Sequence, residues 1–189
     1  MPSSSSNLPP SLRVATLADL PQLHRSMGEF YTHESLVLDD GVLGALHALI
    51  ENPNYGQAFI IRSPDRPPQI APDNAAPQSA ELKAENPTHP ANPAHAAKSA
   101  TIGYCILTFG YSVELHGRTA LIDELYLPPA DRGRGLGTQV LEALIQLCRE
   151  QGIRMLELEV RRDNPKARGL YERLGFQQHS RDILRFYPQ

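Results

Sequence analysis

Cysteine is scarce in this chain: Cys105 and Cys148 are the only two among 189 residues. One falls in an apparent strand and the other in an apparent helix. Their spacing suits neither a metal nor a disulfide framework, so both read as small buried hydrophobes rather than reactive thiols. The seven histidines are scattered without ligand spacing, which argues against a metal centre. Long apolar runs are also missing. Nothing approaches the roughly 20 residues a spanning helix requires, and the opening MPSSSSNLPP lacks the basic and apolar regions of a signal peptide. These absences argue against a membrane partner and fit a soluble cytoplasmic protein. An excess of positive charge is lacking as well. A net charge of −3 gives no long-range attraction for nucleic acid, while being mildly compatible with a cationic substrate.

What is present reads as one compact domain over 11–189 behind a disordered leader, 1–10. After a short strand, Leu12 to Ala15, Thr16 can N-cap a helix whose apolar residues Leu20, Leu23, Met27 and Phe30 recur at helical spacing. A second helix starts after Asp39 and Asp40, carries Val42, Leu43, Leu46, Leu49 and Ile50, and ends at Asn52-Pro53. Gln57 to Arg62 and Ala100 to Phe109 read as the two strands of a hairpin. Between them, 63–99 holds eight prolines, nine alanines and only Ile70 and Leu82 as large apolar groups. Such a segment buries too little surface to offset its ordering entropy, and is expected to be a mobile insertion outside the packed core. From Thr119 the order is strand (to Leu127), turn, helix, strand (Met155 to Val160), turn, helix and a last short strand in RDILRFYPQ. That alternation predicts an α/β architecture with a mixed sheet.

After the strand LIDELYL and the residues Pro128 to Asp131 comes Arg132-Gly133-Arg134-Gly135-Leu136-Gly137-Thr138, which opens a helix. Glycines let the backbone turn tightly so that N–H groups converge on an anion, and the helix adds the positive end of its dipole. A Walker loop requires lysine followed by serine or threonine after the last glycine, and this loop has none. A dinucleotide fingerprint requires G-x-G-x-x-G directly after its strand, whereas these glycines are spaced G-x-G-x-G and stand further on. A plain glycine-rich turn is the bland alternative.

A second constellation runs from Asp163 to Phe176. Asn164 can N-cap a helix, Pro165 fits its first turn, Gly175 suits its C-terminal cap, and Ala167, Leu170, Tyr171 and Leu174 share a face. On its own this would be a well-capped core helix.

Together the two stretches resemble a known family. Arg132 to Gly137 match the Arg/Gln-x-x-Gly-x-Gly/Ala signature of the GNAT superfamily of N-acetyltransferases. Asn164 to Phe176 resemble its N-x-x-A-x-x-L-Y-x-x-x-G-F pattern, and the order of elements agrees over nearly the whole chain except the leader and the insertion. The resemblance implies a GNAT fold, a mixed central β-sheet flanked by about four helices, with acetyl-CoA as co-substrate and no metal. It also implies that Arg132, Gly133, Arg134, Gly135, Leu136, Gly137 and Thr138 grip the coenzyme pyrophosphate. The strand residues Leu125, Tyr126 and Leu127 would pair with the pantetheine arm. Asn164, Ala167 and Tyr171 would approach the coenzyme, with Tyr171 near its sulfur, where a phenol can donate a proton to a departing thiolate.

An alkyl ammonium, with a pKa of about 10, must lose a proton before it can attack a thioester. Asp123, Glu124 and Glu159 are the candidate bases, and strict alternation along a strand would aim Asp123 and Glu124 at opposite faces, leaving at most one to serve. Alignment with polyamine acetyltransferases of the family favours Asp123, and reach favours Glu124. Glu159 lies in LEVRRDN, which resembles a stretch of ribosomal-protein N-terminal acetyltransferases. Tyr31, His33 and Glu34, expected just after the first helix, are candidates for an acceptor wall. A small-molecule amine or polyamine leads as acceptor, followed by a protein N-terminal or lysine amine. A coenzyme-binding module without turnover, and a domain whose Pro/Ala-rich arm docks a partner, stay open as other classes. Exchange of the short last strand between subunits, and with it a homodimer, is compatible with the sequence.

Overall fold

The computed structural model describes residues 8–62 and 101–188, without the side chains of Thr101 and Ile102. The expected insertion at 63–99 and most of the expected leader lie outside the described residues. Leu8, at the end of that leader, is partly buried against the core.

Five strands form one sheet in the order β1 (Leu12–Val14), β2 (Gly56–Arg62), β3 (Thr101–Ser112), β4 (Gly117–Tyr126) and β5 (Met155–Leu158). The first four are antiparallel neighbours, and β4 pairs with β5 in parallel, so the sheet is mixed. Four helices cover it: α1 (Leu20–Glu34), α2 (Asp40–Glu51), α3 (Leu136–Glu150) and α4 (Pro165–Arg173). The β2–β3 pairing expected from the sequence is formed, with Phe59 opposite Cys105.

Local chemistry accounts for the helix boundaries. The Thr16 N–H donates to the Asp19 carboxylate at 2.8 Å, so the chain enters a single 3-10 turn over Leu17–Asp19 before α1 proper begins. The Asp39 carboxylate accepts from the Val42 N–H at 3.0 Å and starts α2. Asn164 caps α4 in the same way through the Ala167 N–H at 3.1 Å. At its other end Gly175 takes φ +94°, and the Gly175 and Phe176 N–H groups return to the Glu172 and Tyr171 carbonyls, which is a Schellman closure.

Alternation along β2 and β3 sends Phe59, Ile61, Cys105 and Leu107 to one face, where Val140, Leu141 and Leu144 of α3 cover them. Ala58, Ile60, Tyr104 and Ile106 go to the other, against Leu23 and Met27 of α1 and Leu46 of α2. Each fully buried leucine contributes about 1.5–3 kcal/mol. Truncating Leu144, which has no exposed surface, to alanine would cost about 2–5 kcal/mol because a void remains.

Two expectations need correction. β5 stops at Leu158 rather than Val160, because its pairing with β4 ends at Ile122 opposite Leu158. The last strand in RDILRFYPQ does not form. Residues 177–188 are exposed and irregular, and Arg185 pairs with Glu159 just beyond the end of β5.

Candidate active site

The register of β3 against β4 slips once: Ile106 faces Glu124 while Leu107 faces Ile122, leaving Asp123 as an extra residue in a β-bulge. The slip decides where the acids go. Ile122 packs in the α3-side core, yet Glu124, two residues on, bonds to groups on the α1 side. Strict alternation is therefore broken here, and Ile122 and Glu124 lie on opposite faces of β4. The charge of Asp123 acts on both Glu124 and Tyr31, and that of Glu159 acts on Asp123.

Glu124 is clasped by two phenols. Tyr31 of α1 donates to its Oε1 at 2.8 Å, and Tyr104 of β3 donates to its Oε2 at 2.6 Å. Burial pushes the Glu124 carboxyl above the usual carboxylate range. The two donated bonds oppose that shift and the Asp123 charge adds to it. Burial likewise raises Asp123, with the Glu159 charge as the second cause. Tyr104 is wholly inaccessible, and burial, followed by the Glu124 charge, keeps its phenol protonated far above neutrality. Tyr126 continues the cluster by donating to Glu29 at 3.0 Å, and its ring lies 5.8 Å from that of Phe30.

Tyr31, His33 and Glu34 belong to the last turn of α1 rather than to a following segment. Glu34 meets Arg161 at 3.4 Å, and Arg161 also holds Asp163 at 2.9 Å, which ties the end of α1 to the approach to α4. His33 lines a shallow cleft of about 590 Å³ with Arg25, Glu29 and Tyr126. Glu159 is exposed and paired with Arg185, outside the Tyr31–Glu124–Tyr104 cluster.

On the opposite face Tyr171 packs beneath the sheet, its ring 5.9 Å from that of Phe176. Burial raises its pKa, with nearby Cys105 as the second cause, so its hydroxyl stays protonated. Cys105 faces Leu125, one residue from Glu124, so Tyr171 and Glu124 flank the same stretch of β4 from its two faces. That stretch is open at one edge. Beyond Ile122, among the described residues, β4 has β3 on one side and no strand on the other.

The glycine loop follows. Gly133 and Gly135 adopt φ of +77° and +82°, and a Cβ at either would meet nothing within 4 Å, so the backbone conformation rather than space calls for glycine. Leu136, Gly137 and Thr138 form the first turn of α3 rather than a continuing loop, and its N-cap residue, Gly135, has no side chain to cap it. Its leading amides are thus available to an anion. The Arg132 guanidinium donates to the Leu127 carbonyl at 2.7 Å, pinning the loop to the end of β4, and Arg134 lies 3.8 Å from buried Asp131. Ala167 and Asn164 sit together at the start of α4, where the Asn164 oxygen is taken by the cap. Tyr104 and Glu29 were not legible as site residues. A tyrosine in an apolar strand reads as core, and only the register reveals that Tyr104 shares a face with Glu124.

Residues 59–176 match the acetyltransferase (GNAT) family, and the chain belongs to it. It is 32% identical over 76 residues to the thialysine N-epsilon-acetyltransferase of Bos taurus, covering 40% of this chain and 44% of that protein. It is 40% identical over 53 residues to the L-methionine sulfoximine/L-methionine sulfone acetyltransferase of Pseudomonas paraeruginosa, covering 28% of this chain and 31% of that one. The matched stretches thus span less than half the length of these relatives. Among solved structures, an integron cassette protein from the mobile metagenome of Cole Harbour Salt Marsh superposes with a TM-score of 0.67 at 27% identity, covering 94% of this chain and 90% of its own. The ribosomal-protein-alanine N-acetyltransferase of Brucella melitensis shares the fold, with a TM-score of 0.59 at 15% identity, covering 93% of this chain and 99% of its own.

Proposed function

We propose that this protein transfers the acetyl group of acetyl-CoA to a primary amine by direct attack, with a small amine as acceptor. The observation that carries this is the open edge of β4 at Asp123–Tyr126, flanked by Glu124 on one face and Tyr171 on the other. The uncapped start of α3 lies just beyond it.

Fit to the coenzyme follows from the donor set. The α3 amides at Leu136, Gly137 and Thr138 and the guanidiniums of Arg132 and Arg134 suit a diphosphate, since aligned N–H groups and a helix dipole favour anions. The edge at Leu125 and Tyr126, which no strand pairs among the described residues, suits the amide-bearing arm together with Leu127 just beyond it, and a backbone N–H there can hold the carbonyl oxygen as charge develops on it. Asn164 and Ala167, at the start of α4, would approach the coenzyme from the other side. Acetyl-CoA supplies the thioester, and every proton is handled by the chain.

Glu124 takes the proton of the incoming ammonium, directly or through a water. Its pKa, raised by burial, brings it closer to neutrality than an ordinary carboxylate, which suits a base working at physiological pH. Tyr31 and Tyr104 hold both of its oxygens in place. Asp123, beside it, favours a cationic acceptor and adds to the basicity of Glu124. The freed amine nitrogen bonds to the acetyl carbon, the carbon–sulfur bond breaks, and the Tyr171 hydroxyl gives its proton to the departing thiolate, while the second nitrogen proton, shed as the amide forms, returns to the Tyr171 phenolate through water. Tyr171 is suited to this because burial keeps it protonated. Glu159 is less suited to serve as base, being exposed and already paired with Arg185.

Glu29, Glu34, Asp123 and Glu124 make the acceptor side acidic, which attracts an ammonium ion. Two relatives are named for small amine-bearing amino acids and another for a ribosomal-protein alanine, so the choice of a small amine rests on the acidic surroundings of Glu124. A mass-spectrometric search for +acetyl products over small amines, polyamines, amino acids and peptides, run beside thiol release from acetyl-CoA, tests this. Products among small amines are expected. Products on peptides alone would replace the acceptor class, and tight coenzyme binding without any thiol release would overturn catalysis.

A further inference from the structure

The last two turns of α1 carry the tyrosine that reaches Glu124, yet burial does little to fix them. The buried residues of α1 are Leu23, Ser26 and Met27, and beyond Met27 Phe30 and Tyr31 are only partly buried. The helix then closes at Ser35, a residue other than glycine held in the left-handed region at φ 57°. A helix end with few buried groups and a strained closure opens more easily than the rest of its helix. Polar bonds to the sheet therefore decide where this end stands.

Two such bonds join α1 to β4. The Tyr31 hydroxyl donates to Glu124 at 2.8 Å, and the Tyr126 hydroxyl donates to Glu29 at 3.0 Å. Glu124 and Tyr126 are two residues apart on β4 and both meet α1, so the attachment points stand about 7 Å apart along the strand. The Phe30 ring lies against the phenols on both sides, its centroid 5.8 Å from Tyr31, 5.8 Å from Tyr126 and 6.3 Å from Tyr104. A third link, from Glu34 to Arg161 at 3.4 Å, is an exposed ion pair and contributes little. Tyr126 is the firmer anchor. It is 4% exposed, it faces Tyr104 across the β3–β4 ladder, and its ring lies 6.0 Å from the Arg132 guanidinium of the glycine loop.

We propose that Tyr126 and Glu29 are positioning residues for Glu124: their hydrogen bond holds the end of α1 on β4 and so keeps the Tyr31 hydroxyl on the carboxylate. The kinetic consequence rests on the reading of Glu124 as the base, whereas the effect on the carboxyl's own titration does not. Glu124 is faced by Tyr31 from α1, by Tyr104 and Cys105 from β3 and by Asp123 from its own strand, while Glu159 acts on Asp123 and Asp39 acts on Tyr31. Glu29 shares its cleft with Arg25 and His33. Tyr126→Phe alters the charge of none of these groups. The bond from Tyr31 lowers the Glu124 pKa against the burial that raises it, so a loosened Tyr31 must raise it further. Loss of the Glu29 charge by itself would act in the opposite direction.

Two readouts on the full-length chain test this. Carbon-13 NMR follows the Glu124 carboxyl directly, its signal identified by its loss in Glu124→Gln, and the pH dependence of kcat/KM follows its effect on turnover. Tyr126→Phe, which keeps the ring, and Glu29→Ala, altered at an exposed side chain, are each expected to raise the Glu124 titration midpoint and the acidic limb together, by up to about one pH unit. Glu29→Gln still offers a carbonyl oxygen to Tyr126 and is expected to leave both near those of the unaltered protein. Adding Tyr126→Phe to Tyr31→Phe should bring no further shift, because the first acts through the second. A midpoint that does not move in Tyr126→Phe and Glu29→Ala overturns the proposal, even where the melting temperature falls, and so does a further shift in the double variant. A midpoint that rises while the acidic limb stays in place upholds the tether and removes Glu124 from the role of base.

Discussion

On the α1 side of β4 the Glu124 carboxylate lies buried with a phenol on each oxygen, at 2.8 and 2.6 Å. On the α3 side the glycine loop is exposed, the N-cap residue of α3 is a glycine with no capping side chain, and no described residue bonds the Tyr171 hydroxyl. The first region is finished by the chain itself. A buried carboxylate without partners would cost several kcal/mol, so the fold supplies them. The second is finished by water or by a ligand, since exposed amides and a glycine loop can wait without penalty. The difference separates what must be held still, a base, from what must be filled, a cofactor channel.

Substitutions can break this contrast at different points. The largest effect is expected for Glu124→Gln, which keeps the shape but removes the proton acceptor. A loss of about 10²–10⁴-fold in kcat/KM at neutral pH is expected, with thermal stability little changed. Asp123→Asn should cost less, and the reverse ranking in steady-state assays would transfer the base to Asp123. Next comes Tyr171→Phe, expected to lower kcat by about 10²-fold while leaving coenzyme binding measured by calorimetry unaltered. A matching loss of binding would reduce Tyr171 to packing. Smallest is Gly135→Ala. A Cβ at φ +82° meets no atoms but costs about 1–2 kcal/mol in backbone strain. Calorimetry should therefore find coenzyme A binding weakened by roughly tenfold, with activity recovered at saturating coenzyme.

The contrast also explains what could be read in advance. The Asn164 cap, the Gly175 closure, the amphipathic α3 and the glycine loop are local, each written within a few consecutive residues, and all were legible. The Glu124 clasp was not, because Tyr31 lies 93 residues away and Tyr104 20 residues away, and both reach it only through a bulge that shifts the register at Asp123. A bulge leaves no reliable mark on an alternating pattern, and unbroken alternation would have put Glu124 on the face of Ile122. The final strand failed for a related reason. RDILRFYPQ has the composition of a strand, but strand formation needs a neighbour, and among the described residues no strand pairs with the outer edge of β5.

The most direct test of the central claim, that the phenol-clasped Glu124 is the working base, is the pH dependence of kcat/KM in the unaltered protein and in Tyr104→Phe. Burial raises Glu124 and the Tyr104 bond lowers it, so the carboxylate form is lost as pH falls through a raised pKa. Removing that bond must move this loss to still higher pH. The account expects the acidic limb of Tyr104→Phe to shift upward while its alkaline plateau stays near that of the unaltered protein. An acidic limb that does not move, or a plateau that collapses at every pH, would contradict it.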